Sequence, residues 1–180
     1  MQDLSLHILD IAENAIAAGA KNINISVIEE VSQDILRLEI ADDGRGMTED
    51  ETKDSVDPFV TTKPTRDVGL GLPLLKDAAR VANGKLEICS VPGAGTTVKA
   101  SFQHSHIDRK PLGSMVDTIT ALVTGCQDLN IVFVHEREGR RFVFDTKEIR
   151  EELAGSSLQC AKALSVIRGY LIQEESSLSH

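Results

Sequence analysis

Apolar residues recur along the first hundred positions with two alternating periods. Leu4, Ile8, Ile11, Ala12, Ala15 and Ile16 fall at helical spacing, which predicts an amphipathic helix over 3–18 stopped by Gly19. Ile23, Ile25 and Val27 alternate with Asn24 and Ser26 and predict a strand. A second strand follows at Ile35, Leu36, Leu38 and Ile40, ending at Asp42-Asp43-Gly44. Thr48, with Glu51 three residues on, predicts a capping box for a short helix over 49–55. Residues 57–69 hold two prolines and no period, so a loop is expected. Leu72–Ala82 predicts a second amphipathic helix. Leu86, Ile88 and Val91 predict a strand, turned by Pro92-Gly93-Ala94-Gly95 into another over Thr96–Phe102.

The pattern then resets. Residues 104–111 are polar and predict a linker. A helix is expected over Leu112–Val123. Strands at Ile131–His135 and Arg141–Phe144 flank a Glu138-Gly139 hairpin turn. Helices follow at Thr146–Leu153 and Leu158–Ile172, and residues 174–180 are expected to fray. This divides the chain into a module over 1–103, a linker over 104–111, and a small α+β appendage over 112–180. With about 70 residues its own core is marginal, so the appendage is expected to pack on the first module or on a second chain.

Composition narrows the classes. The 180 residues are 41% hydrophobic and 26% charged, as in a globular protein. No apolar run approaches a membrane span, and the first residues lack a signal-peptide pattern, so a cytoplasmic location is expected. A net charge of −9 argues against nonspecific nucleic-acid binding. Cys89, Cys126 and Cys160 have no ligand spacing and fit a reducing compartment.

Four motifs in the first module carry candidate chemistry. Asp10 and Asn14 lie one helical turn apart, so the amide oxygen of Asn14 can hold Mg2+ while Asp10 faces a water. Asp42-Asp43-Gly44-Arg45-Gly46 ends a strand; its glycines allow close backbone approach, and a carboxylate there can accept from an exocyclic amine. Gly69-Leu70-Gly71-Leu72-Pro73 opens a helix, whose free amides suit phosphate. Lys63 and Arg66 lie just upstream, placed to neutralise outer phosphates. Gly95-Thr96-Thr97 forms a turn with two hydroxyls. Taken singly, each is an ordinary polar face or turn. His7 reads as a polar-face residue, and His135 as a packed edge residue.

Together and in this order, the motifs resemble those of the GHKL superfamily: gyrase B subunit, the ninety-kilodalton heat-shock chaperone, histidine kinases and MutL. Asp10–Ile25 is similar to the N-box, Asp42–Gly46 to the G1 box, and Gly69–Leu72 to the G2 box. Gly95-Thr96 is similar to the last box. Asp57-Pro58-Phe59 with Thr61-Thr62-Lys63 resembles the F-box of histidine kinases. The resemblance covers residues 4–103. It implies a two-layer α/β sandwich, the Bergerat ATP-binding fold, with ATP and Mg2+ as ligands. Asn14 would bind Mg2+ and Asp42 the adenine amine. Gly44 and Gly46 would line the base pocket. Gly69, Leu70 and Gly71 would meet phosphate, Lys63 and Arg66 would sit in a short lid, and Thr96 would lie near the base.

Two departures shape the functional expectation. Hydrolytic members carry Glu as general base where this chain has Asp10, one methylene shorter, so weak hydrolysis is expected. The chain begins on the N-box helix, so no phosphoacceptor domain is expected upstream. Ser105–Leu112 partly resembles an H-box, with His106 as a phosphoacceptor candidate in the wrong order. The expected function is an ATP-binding, histidine-kinase-like regulatory protein that transfers phosphate to a separate protein. Its alternatives are an ATP-gated dimerisation switch of the MutL and gyrase type, with a homodimer, and a nucleotide sensor without catalysis.

Overall fold

Asp3 accepts the Leu6 amide at 3.1 Å and so caps α1, Leu4–Ala17. The computed structural model describes residues 2–56, 71–152, 158 and 160–178. After α1 come β1 (Asn22–Glu30), β2 (Ile35–Asp42) and α2 (Glu49–Asp54), the last opened by the expected Thr48–Glu51 capping box. Then follow α3 (Gly71–Val81), β3 (Lys85–Val91), β4 (Gly95–Gln103) and α4 (Met115–Gly125). β5 (Asn130–Arg137) and β6 (Arg140–Asp145) form the expected hairpin, with Glu138 and Gly139 both at positive φ. α5 (Thr146–Glu152) and α6 (Ala161–Leu178) complete the described chain.

One six-stranded mixed sheet runs in the order β3-β4-β2-β1-β5-β6. β1 pairs antiparallel with β2 and parallel with β5. The segment over 112–178 therefore contributes two strands to the sheet that begins with β1. Register places Ile23, Ile25 and Val27 opposite Ile131, Phe133 and His135, all buried. Because side chains alternate along a strand, this pairing gives one continuous buried face. α1 packs on it between α3 and α4, and α4 touches α6. The other face carries the row Ser26, Glu39, Lys99 and Glu87, with Lys99 paired to Glu39 at 3.1 Å. This is a two-layer α/β sandwich with its main helices on one face, as expected.

Three local expectations change. The fourth helix begins at Met115, not Leu112, because Ser114 caps it by accepting the Asp117 amide at 3.1 Å. Residues 111 and 112 instead pair with α1: the Leu4 amide donates to Pro111 and the Ser5 amide to Leu112. The chain end does not fray at 174, since α6 continues to Leu178, which is buried. His135 does not lie on an edge, because β6 covers its strand.

His135 explains the long α6. Its Nδ1 meets Glu175 at 2.9 Å and its Nε2 meets Glu29 at 3.0 Å. Glu29 also meets His104 at 3.0 Å. Burial alone would push the His135 imidazole down, but the Glu175 and Glu29 carboxylates outweigh it and hold the ring up at about 9. The His135 hydrogen bond, against burial and with help from His104, holds Glu29 down at about 2.

The signs fix a pH window. The His135 contribution is complete below its ordinary value of 6.5 and is lost as pH rises through about 9. The Glu29 contribution is complete above 4.5 and is lost as pH falls towards 2. Thermal stability should therefore be flat between these limits and decline on both sides. His135→Ala leaves two carboxylates facing a vacated site, and should cost about 3–5 kcal/mol. It should also speed hydrogen exchange over 171–178. A melting temperature indifferent to pH between 6.5 and 9, with unchanged exchange, contradicts this account.

Candidate functional site

Asp42 ends β2 and Thr96 starts β4, and register sets them opposite each other. The Gly44 amide donates to Asp42 Oδ1 at 2.8 Å, and the Thr96 backbone also lies against this carboxyl. Burial nevertheless raises its pKa. A partly desolvated carboxylate with few donors is poised to accept another hydrogen bond. Asp43 is the opposite case. Its carboxylate accepts the Lys21 amide at 2.7 Å, the Asn22 amide at 2.8 Å and Asn22 Nδ2 at 2.6 Å. The Asn22 side chain and amide lead the causes that lower its pKa.

The loop over 42–47 is held tightly against its neighbours. Arg45 donates its amide to Ala18 at 3.0 Å and accepts from Gly93 at 2.7 Å. Gly46 sits at φ +64°, where a β-carbon would fall 2.0 Å from the Val91 carbonyl oxygen. Gly95 sits at φ +102°, where one would fall 1.9 Å from the Asp42 carbonyl oxygen. Ser90, which the sequence did not single out, accepts the Met47 amide and bonds Thr96 Oγ1, both at 2.8 Å. A lone strand serine carries no local signal for such a role.

α1 supplies the second wall. Asn14 Nδ2 donates to Asp10 Oδ2 at 3.2 Å, and Asn14 is exposed. Gly71 begins α3 directly beside Asp10: a β-carbon there would lie 1.9 Å from Oδ2. Burial raises the Asp10 pKa, partly opposed by Asn14. His7, one turn earlier, is fully buried rather than on a polar face. Burial, with the nearby Lys110 charge, pushes its pKa down to about 4 against the Gly71 backbone.

Asp42, Gly44, Gly46 and Thr96 thus meet at one end of the sheet, and Asp10, Asn14 and Gly71 meet where α1 touches α3. Lys63, Arg66, Gly69 and Leu70 lie outside the described residues. His106 does not join the others. It follows Gln103, at the far end of β4 from Thr96. Seven residues of strand separate the two ends, about 23 Å at roughly 3.3 Å per residue. A separate groove of about 270 Å³ lies on the open sheet face, among Arg37, Glu39, Lys85, Glu87 and Lys99. Those charges pair with one another and with Glu30, so this groove is a solvated ion-pair surface.

Residues 2–106 match the family of histidine kinase-, DNA gyrase B- and HSP90-like ATPases. The chain belongs to this family. It is a GHKL-type ATP-binding domain, and the sandwich described above is that fold. Over 112 residues the chain is 30% identical to the non-motile and phage-resistance protein of Caulobacter vibrioides, covering 57% of this chain and 13% of that protein. Over 89 residues it is 37% identical to sporulation kinase E of Bacillus subtilis, covering 49% and 12%. The chain thus spans about an eighth of the length of these curated relatives. The Aquifex aeolicus MutL ATPase domain complexed with ADP shares the fold, with a TM-score of 0.51 at 14% identity, covering 86% of this chain and 70% of that one. Among the described residues, no helix is long and apolar enough to cross a membrane.

Two glycine substitutions separate strain from collision in this domain. Gly93 has positive φ but nothing within 4 Å of a β-carbon, so Gly93→Ala should cost only about 1–2 kcal/mol of backbone strain. Gly95→Ala adds a collision with Asp42, and should lower the melting temperature further and weaken nucleotide binding. Equal effects on melting and binding would show that loop contact with Gly95 does not shape the site.

Proposed function

We propose that this domain binds Mg-ATP and positions it for phosphoryl transfer to a separate protein, with little hydrolysis of its own. The observation that carries the reading is Asp42: a partly buried carboxylate, short of donors, set between two close-packed glycine turns. It would accept the exocyclic amine of adenine. Gly44 and Gly46 would let the base approach the backbone, with Thr96 beside it. The phosphates would lie towards Gly71, where the first amides and dipole of α3 favour anions. Gly69, Leu70, Lys63 and Arg66 would complete that end.

The residues present suit Mg2+. Asn14 spends its NH2 on Asp10, which leaves its amide oxygen as a hard ligand. Among the described residues, no group of three or more His, Cys, Asp or Glu could hold a metal. A cation here would take most of its ligands from water and phosphate, as Mg2+ usually does. When bound it would neutralise charge on the phosphates. The acidity of the chain agrees with this. Residues 1–103 hold 10 basic and 17 acidic side chains. Loop amides and a cation, more than basic side chains, would supply the positive potential.

Asp10 is the reason to expect slow hydrolysis. Its carboxyl is bonded to Asn14 and pressed against Gly71, which fixes it on the helix pair. A water-activating base needs to reach the attacking water within hydrogen-bond distance. A poor base limits wasteful turnover while the fold still positions Mg-ATP. The likeness to sporulation kinase E supports a transfer role. The fold likeness to the MutL ATPase domain, which extends past residue 106, supports a second reading in which ATP gates dimerisation. Binding without transfer or dimerisation would leave a nucleotide sensor.

Calorimetric titration with ATP and Mg2+ tests the first step. Asp42→Asn should weaken binding about tenfold or more, as loss of a charged hydrogen bond implies. Omitting Mg2+ should weaken it strongly. Binding indifferent to Asp42→Asn would overturn the assignment of the base pocket. Steady-state turnover should be slow in the wild type and should rise in Asp10→Glu. Robust wild-type turnover that vanishes in Asp10→Asn would make Asp10 the base and sink the slow-hydrolysis reading.

A further inference from the structure

We infer that Arg150, on α5, is a positioning residue for the nucleotide loop, acting through two asparagines and Asp43. The inference rests on the nucleotide reading above. Arg150 Nη1 donates to Asn130 Oδ1 at 2.6 Å. Asn130 Nδ2 donates to Asn22 Oδ1 at 3.0 Å. Asn22 Nδ2 donates to Asp43 Oδ2 at 2.6 Å. The row crosses β5 and β1 and ends on the residue next to Asp42.

The ends of the row decide its direction. Arg150 can only donate and the Asp43 carboxylate only accepts. Each amide between them must then turn its oxygen towards Arg150 and its NH2 towards Asp43. Only that arrangement gives every link a donor and an acceptor. A cation and an anion at the two ends polarise the bonds between them in the same sense. The row is in effect an ion pair spread over two amides.

Both ends are anchored. Arg150 Nη2 also donates to the Leu129 and Gln127 carbonyls, at 2.6 and 2.9 Å. The Asn130 amide donates to the Lys21 carbonyl at 2.9 Å. Asp43 takes the Lys21 and Asn22 amides as well, so it clamps the α1–β1 junction. Ala18, in the same junction, accepts the Arg45 amide. Movement of Arg150 is therefore passed to Asp43 and, from both sides, to the loop that carries Asp42 and Gly44. The C-terminal elements are part of the nucleotide site without touching nucleotide.

Two readouts on the full chain test this. First, amide NMR without nucleotide: Arg150→Ala should shift the Gly44 and Gly46 resonances, and Arg150→Lys, which keeps one donor for Asn130, should shift them less. Second, Mg-ATP titration at a temperature where circular dichroism shows every variant folded. Arg150→Ala and Asp43→Asn should each weaken binding about fivefold, and the double variant should be no worse than Asp43→Asn. Gly44 and Gly46 resonances that do not move overturn the proposal. So does strict additivity of the two substitutions, because a residue that only stabilises the fold would add its cost independently. A wild type that binds no nucleotide would defeat the nucleotide reading instead, and the glycine resonances would still decide the coupling.

Discussion

The pairing of β1 on both of its edges is the constraint on which the molecule depends. β1 joins β2 antiparallel, which brings Asp42 and Asp43 to the end of the strand where α1 turns back. It joins β5 in parallel, which recruits α4, β6, α5 and α6 to the same apolar face. A one-residue slip of either pairing would turn Ile23, Ile25 and Val27 to the polar face. Burying each such side chain is worth about 1.5–3 kcal/mol, so register is firmly specified. The two ends of β1 then diverge in chemistry. At Asn22 the polar groups serve the loop over 42–47. At Glu29 they form the ionic cluster that holds α6.

Much of this was legible because it is local. Helical and alternating periods located most elements, and the order of the glycine and carboxylate motifs pointed to the ATP-binding family. What stayed hidden depends on contacts distant in sequence. Glu29 looks like a polar end to a strand until His104, His135 and Glu175 arrive, 75, 106 and 146 positions later. For the same reason residues 174–178 read as a polar tail, although His135 anchors them. His7 follows an amphipathic rhythm in which its own type is ambiguous, and burial under Lys110 and Gly71 decides it. Ser90 lies in a strand whose pattern is unremarkable. Its role appears only once the loop over 42–47 closes on it.

His106 follows Gln103, at the end of β4 away from Thr96. The Gly71 end is placed differently: Gly71 lies beside Asp10 and the His7 side chain, and Lys110, four residues after His106, meets His7 at 3.2 Å. The row from Arg150 to Asp43 joins the C-terminal elements to the loop over 42–47.

Asp42 and Asp43 show how one sheet end divides two tasks between identical side chains. Asp43 is exposed but saturated with donors, and its pKa is lowered. Asp42 is more buried, and that burial raises its pKa against the Gly44 and Thr96 backbone hydrogen bonds. The first stabilises the fold by being satisfied. The second is partly desolvated, which costs stability. Leaving both unsatisfied would place two like charges side by side without compensation. Saturating one is what allows the other to be held in place partly desolvated.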